Sequence, residues 1–250
     1  MPTMELPEST PQPSSPLDSA IYSSSNDALE STISDPSLTE DLALSVLKHS
    51  DLPATILEQL SKKAVATRRK VRFALVAHPK TPRHVSVNLL RQLFTFDLMR
   101  LVLTPLVAAD LKVAAERALL DRLEKLTSGE RLALARRLSG AIASALLLDS
   151  DPRICKAALD NNRLTEGLLT KAITTPKASA AFIHSVCDHA KWSLRRDVRA
   201  ALLRTEKLPL SRALEYAHSF PPTQVREILQ NSRLPGGIKA RVLEELTRRS

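Results

Sequence analysis

Residues 71–93, VRFALVAHPKTPRHVSVNLLRQL, hold the end of one helix, a turn with two prolines and the start of a second helix. Val76 faces inward in the last turn of the first helix. Pro79 lacks an N–H and pushes His78 out of the α region, so that helix ends there. Thr81 reads as an N-cap and Pro82 as the first helical residue. Val85, Leu89 and Leu93 then follow on one face.

The unit recurs. Aligning Pro53 with Pro82 brings His49 onto His78, Leu47 onto Val76, Ile56 onto Val85 and Leu60 onto Leu89. LVLTPLVAADL (Leu101–Leu111) and ALDNNRLTEGLL (Ala158–Leu169) follow the same pattern with drift, as do LLRTEKLPLSRAL (Leu202–Leu214) and ILQNSRLPGGI (Ile228–Ile238). In five of the six an apolar residue precedes a polar terminator (His49, His78, Asn161, Thr205, Asn231), and Pro, Thr or Ala opens the next helix. The terminator is expected to satisfy free helix-end carbonyls, a role that His and Asn can share. Six such turns in one chain are the mark of a stack of helical hairpins. The stretch 108–150 departs from it: two longer helices, about Ala109–Lys125 and Gly129–Leu148, are expected there, forming either a hinge or the seam between two sub-arrays.

Composition agrees with helices. Hydrophobic residues make up 43% of the 250, aromatics 3%, and there are only five glycines, which works against a β fold or a phosphate-cradling loop. Cys155 and Cys187 are too few for a disulfide framework. No apolar run approaches the roughly 20 residues that span a bilayer, and the N-terminus lacks the basic and apolar regions of a secretory signal. A cytoplasmic protein with no membrane contact is expected. Charge is segregated. Residues 1–47 carry eight acids and no Lys or Arg, so residues 48–250 hold all 36 basic side chains against 19 acids (27 less the eight), a net of +17. Residues 1–37, rich in Ser and Pro, are expected to be a disordered acidic tail, able to contact the basic body.

The basic residues cluster as Lys62, Lys63, Arg68, Arg69, Lys70 and Arg72, then Arg131, Arg136 and Arg137, then Arg195, Arg196, Arg199 and Arg204. Stacking could align them into a stripe that attracts an acidic protein or peptide, or phosphates; the plainer reading is a solvated surface. Lys62, Lys63, Arg68, Arg69, Arg72, Arg136, Arg137, Arg195, Arg196 and Arg199 are the candidate binding residues. No catalytic residue, metal or cofactor is implied. His184, Cys187, Asp188 and His189 form the densest set of metal-ligating types, but their spacing spreads them around a helix. Trp192, one turn after Asp188, reads as a packing residue.

The units VRFALVAHPKTPRHVSVNLL, DVRAALLRTEKLPLSRAL and QVREILQNSRLPGGIKARVL resemble bacterial leucine-rich repeat variant and HEAT-like repeats. That resemblance implies an all-α, right-handed α-solenoid of HEAT-like hairpins over residues 38–250. A non-enzymatic scaffold presenting a basic, curved surface to an acidic protein or peptide is the leading expectation. The second is a nucleic-acid-binding HEAT-like protein related to DNA glycosylases, which would need Trp192 and a carboxylate lining one cleft.

Overall fold

Most of the helices are short because their sequence segments carry their own stops. The computed structural model describes Ile33 and residues 38–248, so the expected acidic tail lies, Ile33 apart, outside the described residues. Within them the chain is all-helical, with fifteen α-helices, two 3-10 turns and no strand. These are α1 (Glu40–Val46), α2 (Ala54–Lys62), α3 (Arg69–Ala77), α4 (Arg83–Leu90), α5 (Thr95–Leu103), α6 (Ala109–Leu120) and α7 (Ser128–Arg137). Then come α8 (Gly140–Leu146), α9 (Pro152–Leu159), α10 (Glu166–Thr174), α11 (Ala180–Asp188), α12 (Arg196–Leu202), α13 (Leu210–Ala217), α14 (Pro222–Gln230) and α15 (Gly236–Thr247). No described helix is long and apolar enough to cross a membrane.

The described residues fall into two compact units, the first running up to Leu93 and taking in Leu106–Leu111, the second made of Phe94–Pro105 and the residues from Lys112 on. In the first, α1 and α4 both pack on α3, around a core that includes Ile33, Ala43, Ile56, Leu57, Leu60, Val71 and Leu75. In the second, odd helices stack on odd and even on even: α5 on α7, α7 on α9, α9 on α11 and α13 on α15 in one layer, α8 on α10 and α10 on α12 in the other. Leu134, Leu138, Ile142, Leu147, Ile154, Leu164, Leu169, Ile183, Val198 and Leu202 fill the space between them.

What ties the layers is a hydrogen-bonded turn residue that repeats. His78 Nδ1 accepts from Lys80 N at 3.2 Å, so the proton sits on Nε2, which reaches the His49 carbonyl at 2.9 Å, 29 residues back. Asn161 is built alike: Oδ1 accepts from Arg163 N at 2.8 Å, while Nδ2 donates to the carbonyls of Ala135 at 2.6 Å and Leu138 at 3.1 Å. His189 accepts from Lys191 N on Nδ1 at 3.2 Å and meets the Asp160 carboxylate with Nε2 at 3.1 Å, 29 residues back. Ser232 accepts from Leu234 N at 3.0 Å and donates to the Leu203 carbonyl at 2.7 Å, again 29 residues back. The terminator thus completes its own turn by accepting and reaches the preceding repeat by donating, through two atoms in His and Asn and through the one hydroxyl in Ser232. A buried group left without its partner costs about 1–3 kcal/mol, which is why the position accepts only side chains that both donate and accept.

Several details differ from the sequence reading. Residues 128–146 form two helices: Leu138 and Ser139 are extended, because the α7–α8 turn must receive the α9–α10 turn. A Cβ on Gly140 would stand 2.2 Å from the Arg163 carbonyl oxygen, so the close approach requires glycine there. The stretch is an ordinary hairpin without a Pro signal. Pro82 is the N-cap itself, with ψ 138°, one residue later than expected; the Thr81 hydroxyl instead donates to the Leu75 carbonyl at 2.7 Å. Pro53, Pro209, Pro221 and Pro235 occupy the same N-cap place. Finally, the six turns are of two kinds. The first four lead from an odd helix to an even one, whereas Thr205 and Asn231 lie in turns leading from even to odd. At Asn231 the bonded terminator is its neighbour Ser232.

Candidate functional site

The basic residues divide by what their head groups touch. Arg72, Arg131, Arg199 and Lys239 each stand four positions beyond a helix N-cap. Every one reaches back to a carbonyl of the entering turn: Arg72 to Thr67 at 2.9 Å, Arg131 to Leu126 at 3.1 Å, Arg199 to Ser193 at 2.6 Å and Lys239 to Ser232 at 2.6 Å. Arg72 also donates to the Gln92 carbonyl at 3.1 Å, joining two turns of the first unit. Arg131 forms an ion pair with the nearly buried Asp149 at 2.8 Å. Arg199 lies 5.2 Å over the Tyr216 ring, and Arg196 lies 5.6 Å over Phe220 while bonding Gln224 at 2.7 Å. These cations recur near helix starts because the entering turns need a donor there.

Lys62 is paired with Glu58 at 3.0 Å. Lys63 and Arg69 lie in the same stretch of the first unit and have partners of their own. Arg68, Arg136, Arg137 and Arg195 are exposed, and no carboxylate among the described residues is paired with them. Arg68 stands at the N-cap of α3, Arg136 and Arg137 end α7, and Arg195 is the N-cap of α12.

Two adjoining concave features of the second unit lie along its even helices. A groove of about 600 Å3 crosses α10, α12 and α14, floored by Gly167, Ala200 and Ala201 and flanked by Lys171, Asp197, Arg204 and Glu227. A smaller pocket of about 140 Å3 adjoins it at the even-to-odd turns and shares Thr174 and Arg204 with it; Thr175, Thr205, Glu206, Lys207, Asn231 and Arg233 complete its polar wall. Of these, only Arg204 stands out as a member of a basic cluster in the sequence. The signal for the rest is the 29-residue spacing of Arg204 and Arg233, visible once Leu203 is aligned with Ser232.

The residues weighed for chemistry are engaged structurally. Trp192 is 2% exposed, and its indole N–H donates to the Leu159 carbonyl at 2.8 Å beneath Lys191, whose Nζ is 4.0 Å from the ring centroid. Asp188 pairs with Arg212 at 2.7 Å, and Trp192 is too buried to line an open cleft. Cys187 is buried, His184 exposed, and His189 holds Asp160; no metal-binding group of His, Cys, Asp or Glu exists among the described residues. Burial pushes the Cys155 thiol up to about 11, with Asp149 adding to the effect, and burial raises Cys187 as well. Both thiols are therefore protonated near neutrality and poor nucleophiles.

Comparison with protein-family models, curated proteins and solved structures gives no match for this chain.

Proposed function

We propose that the chain is a right-handed, HEAT-like α-solenoid whose task is binding, a non-enzymatic module that presents basic surface to an acidic protein or peptide. The alternation of odd and even layers within the second unit, tied at 29-residue spacing, supports the repeat architecture. One observation carries the binding role. With Arg72, Arg131, Arg199 and Lys239 engaged by the fold, the second unit still keeps Arg136, Arg137, Lys171, Arg195, Arg204 and Arg233 exposed, with no carboxylate paired to them among the described residues. Such unpaired charge steers oppositely charged partners. A stacking surface for single-stranded nucleic acid is not favoured: Trp192, Tyr216 and Phe220 are buried, and among the described aromatics of the second unit only Phe94 and Phe96 are exposed, too few for a stacking platform.

Fluorescence anisotropy of a labelled 20-residue poly-glutamate peptide, with duplex DNA of equal length as competitor, tests the reading across a salt series. Saturable peptide binding that weakens with salt and resists the DNA is the expected result. Absence of peptide binding at low salt, or displacement by a small excess of DNA, would overturn it in favour of nothing or of nucleic acid, respectively.

A further inference from the structure

We propose that the small pocket at the even-to-odd edge of the second unit is an oxyanion seat, in which Arg204, Arg233 and Lys207 hold an acidic group of a peptide lying in the adjoining groove. This inference rests on the binding role above and names its site.

The pocket's frame is fixed before any ligand arrives. The backbone N–H of Arg233 donates to the Arg204 carbonyl at 3.0 Å, so the two arginines leave the chain from points that are bonded to each other. Beside them the Ser232 hydroxyl bonds the Leu203 carbonyl at 2.7 Å, and Lys207 Nζ bonds the Ala178 carbonyl at 2.7 Å. Three successive turns are thereby stapled at one edge. Lys207 is held but retains N–H donors, and it stands 3.8 Å from the exposed Glu206. Both guanidinium groups are exposed and have no partner among the described residues. Two planar donors from a rigid edge are the arrangement that suits a carboxylate or phosphoryl group, and rigidity lowers the ordering cost of binding.

The groove sets where the anion goes. Asp197 lies in the first turn of α12, and Arg204 follows seven residues on, just past the helix's C-cap Leu203. Asp197 and Glu227 repel an anion from mid-groove, while Arg204 and Arg233 receive it at the turn end. Helix C-termini carry partial negative charge and by themselves disfavour an anion. Those of α10 and α14 are blunted here, since Thr175 Oγ1 donates to the Lys171 carbonyl at 2.9 Å and the turn residues bond onward. The attraction therefore depends on the arginine side chains, which makes them a sharp test. The shared chemistry is an oxyanion on a peptide; its source is either a Glu or Asp side chain or a phosphorylated serine.

The test uses the full chain and two labelled ten-residue peptides that differ only in carrying glutamate or phosphoserine at one central position. Arg204→Gln with Arg233→Gln is expected to weaken binding at least tenfold and to shift the melting temperature by less than about 2 °C, while the control Lys48→Gln with Lys156→Gln, two exposed lysines outside the basic clusters, changes affinity less than twofold. A tenfold preference for phosphoserine assigns the seat to phosphorylated peptides, and equal affinity assigns it to carboxylates. Affinity within twofold of the parent in the Arg204/Arg233 variant overturns the seat. If that variant and the parent bind poly-glutamate equally, the seat falls and the binding role stands; if the parent binds no acidic peptide, both fall.

Discussion

Two edges of the second unit use similar residues to opposite ends. On the odd-to-even edge, Asn161, His189 and Trp192 turn inward, and their donors go to the end of the preceding odd helix. On the even-to-odd edge, Ser232 and Lys207 do the holding, while Arg204 and Arg233 remain in solvent. Ser232 and Arg233 are adjacent in sequence, yet one is buried and bonded twice and the other is free. In a stacked fold the position within the turn, more than the residue type, decides whether a polar group ties layers or meets a partner. The odd-to-even edge is thus where stability should be most sensitive, and the even-to-odd edge where binding should be.

The largest effects are expected on the inward-facing edge. Leu164→Asp places a charge in the α9–α10 turn, where the leucine is 3% exposed, and should unfold the second unit under ordinary conditions. Val76→Asp should do the same to the first. Asn161→Ala strands the carbonyls of Ala135 and Leu138 and the N–H of Arg163, a loss of about 3 kcal/mol or more at 1–3 kcal/mol per orphaned group. Asn161→Asp keeps the acceptor but not the donor and should be nearly as damaging. Urea denaturation reads all four; an Asn161→Ala midpoint equal to the parent's would mean that the turn residue does not tie the repeats.

A glycine pair gives the next test. Gly140→Ala pushes a methyl into the Arg163 backbone and should cost about 1–3 kcal/mol. Gly129→Ala meets nothing within 4 Å in the first turn of α7 and should be neutral or stabilising by up to about 1 kcal/mol. Equal effects would dissolve the claim that the α7–α8 turn is built to receive its neighbour.

Much of this was legible in the residues. Leu47, Val76, Ile56 and Leu60 are buried as the hairpin pattern required, and His78 does close its turn. Two things were hidden. The α7–α8 turn has no proline and a helix-compatible sequence, LSGAI, so only the packing of Gly140 on Arg163 breaks the helix. The kind of turn was hidden too. Pro209 and Pro235 open odd helices with the same local chemistry that Pro53 and Pro82 use to open even ones, so turn residues alone do not set the register. For the candidate site, charge clustering took in Arg204 but left it out of the candidate binding residues, which included Arg72 and Arg199, whose head groups are taken up by backbone carbonyls. A side chain's reach of one helical turn backwards is not written in its spacing.

Smaller effects separate engaged cations from free ones. Arg199→Ala removes the donor to Ser193 and the contact with Tyr216 and should cost about 1–2 kcal/mol, whereas Arg195→Ala should change stability by less than about 0.5 kcal/mol. A pH titration adds a check at α7. The backbone N–H of Thr127, followed by the hydroxyls of Thr127 and Thr95, holds the Glu130 carboxyl below its ordinary 4.5. A lowered folded value means that the stabilisation is present above the unfolded value and is lost as pH falls through the folded one. The melting temperature should drop on acidification below about 4.5, and Glu130→Gln, with its capping box impaired, should reduce that drop slightly.

The smallest expected change is also the one that most sharpens the contrast between the edges. Arg204→Gln with Arg233→Gln removes two positive charges from a turn whose backbone bonds, Arg233 N to the Arg204 carbonyl and Ser232 Oγ to the Leu203 carbonyl, do not involve the altered side chains. Exposed, unpaired cations contribute little to folding, so thermal unfolding should coincide with the parent's to within about 0.5 kcal/mol. Ser232→Ala, one residue away, should lose about 1–3 kcal/mol because the Leu203 carbonyl and the Leu234 N–H are left without their partner. If the arginine pair proved as costly as the serine, Arg204 and Arg233 would belong to the fold, and the even-to-odd edge would hold layers in the way its opposite does. If the serine alone is costly, one turn contains both functions, separated by a single peptide bond.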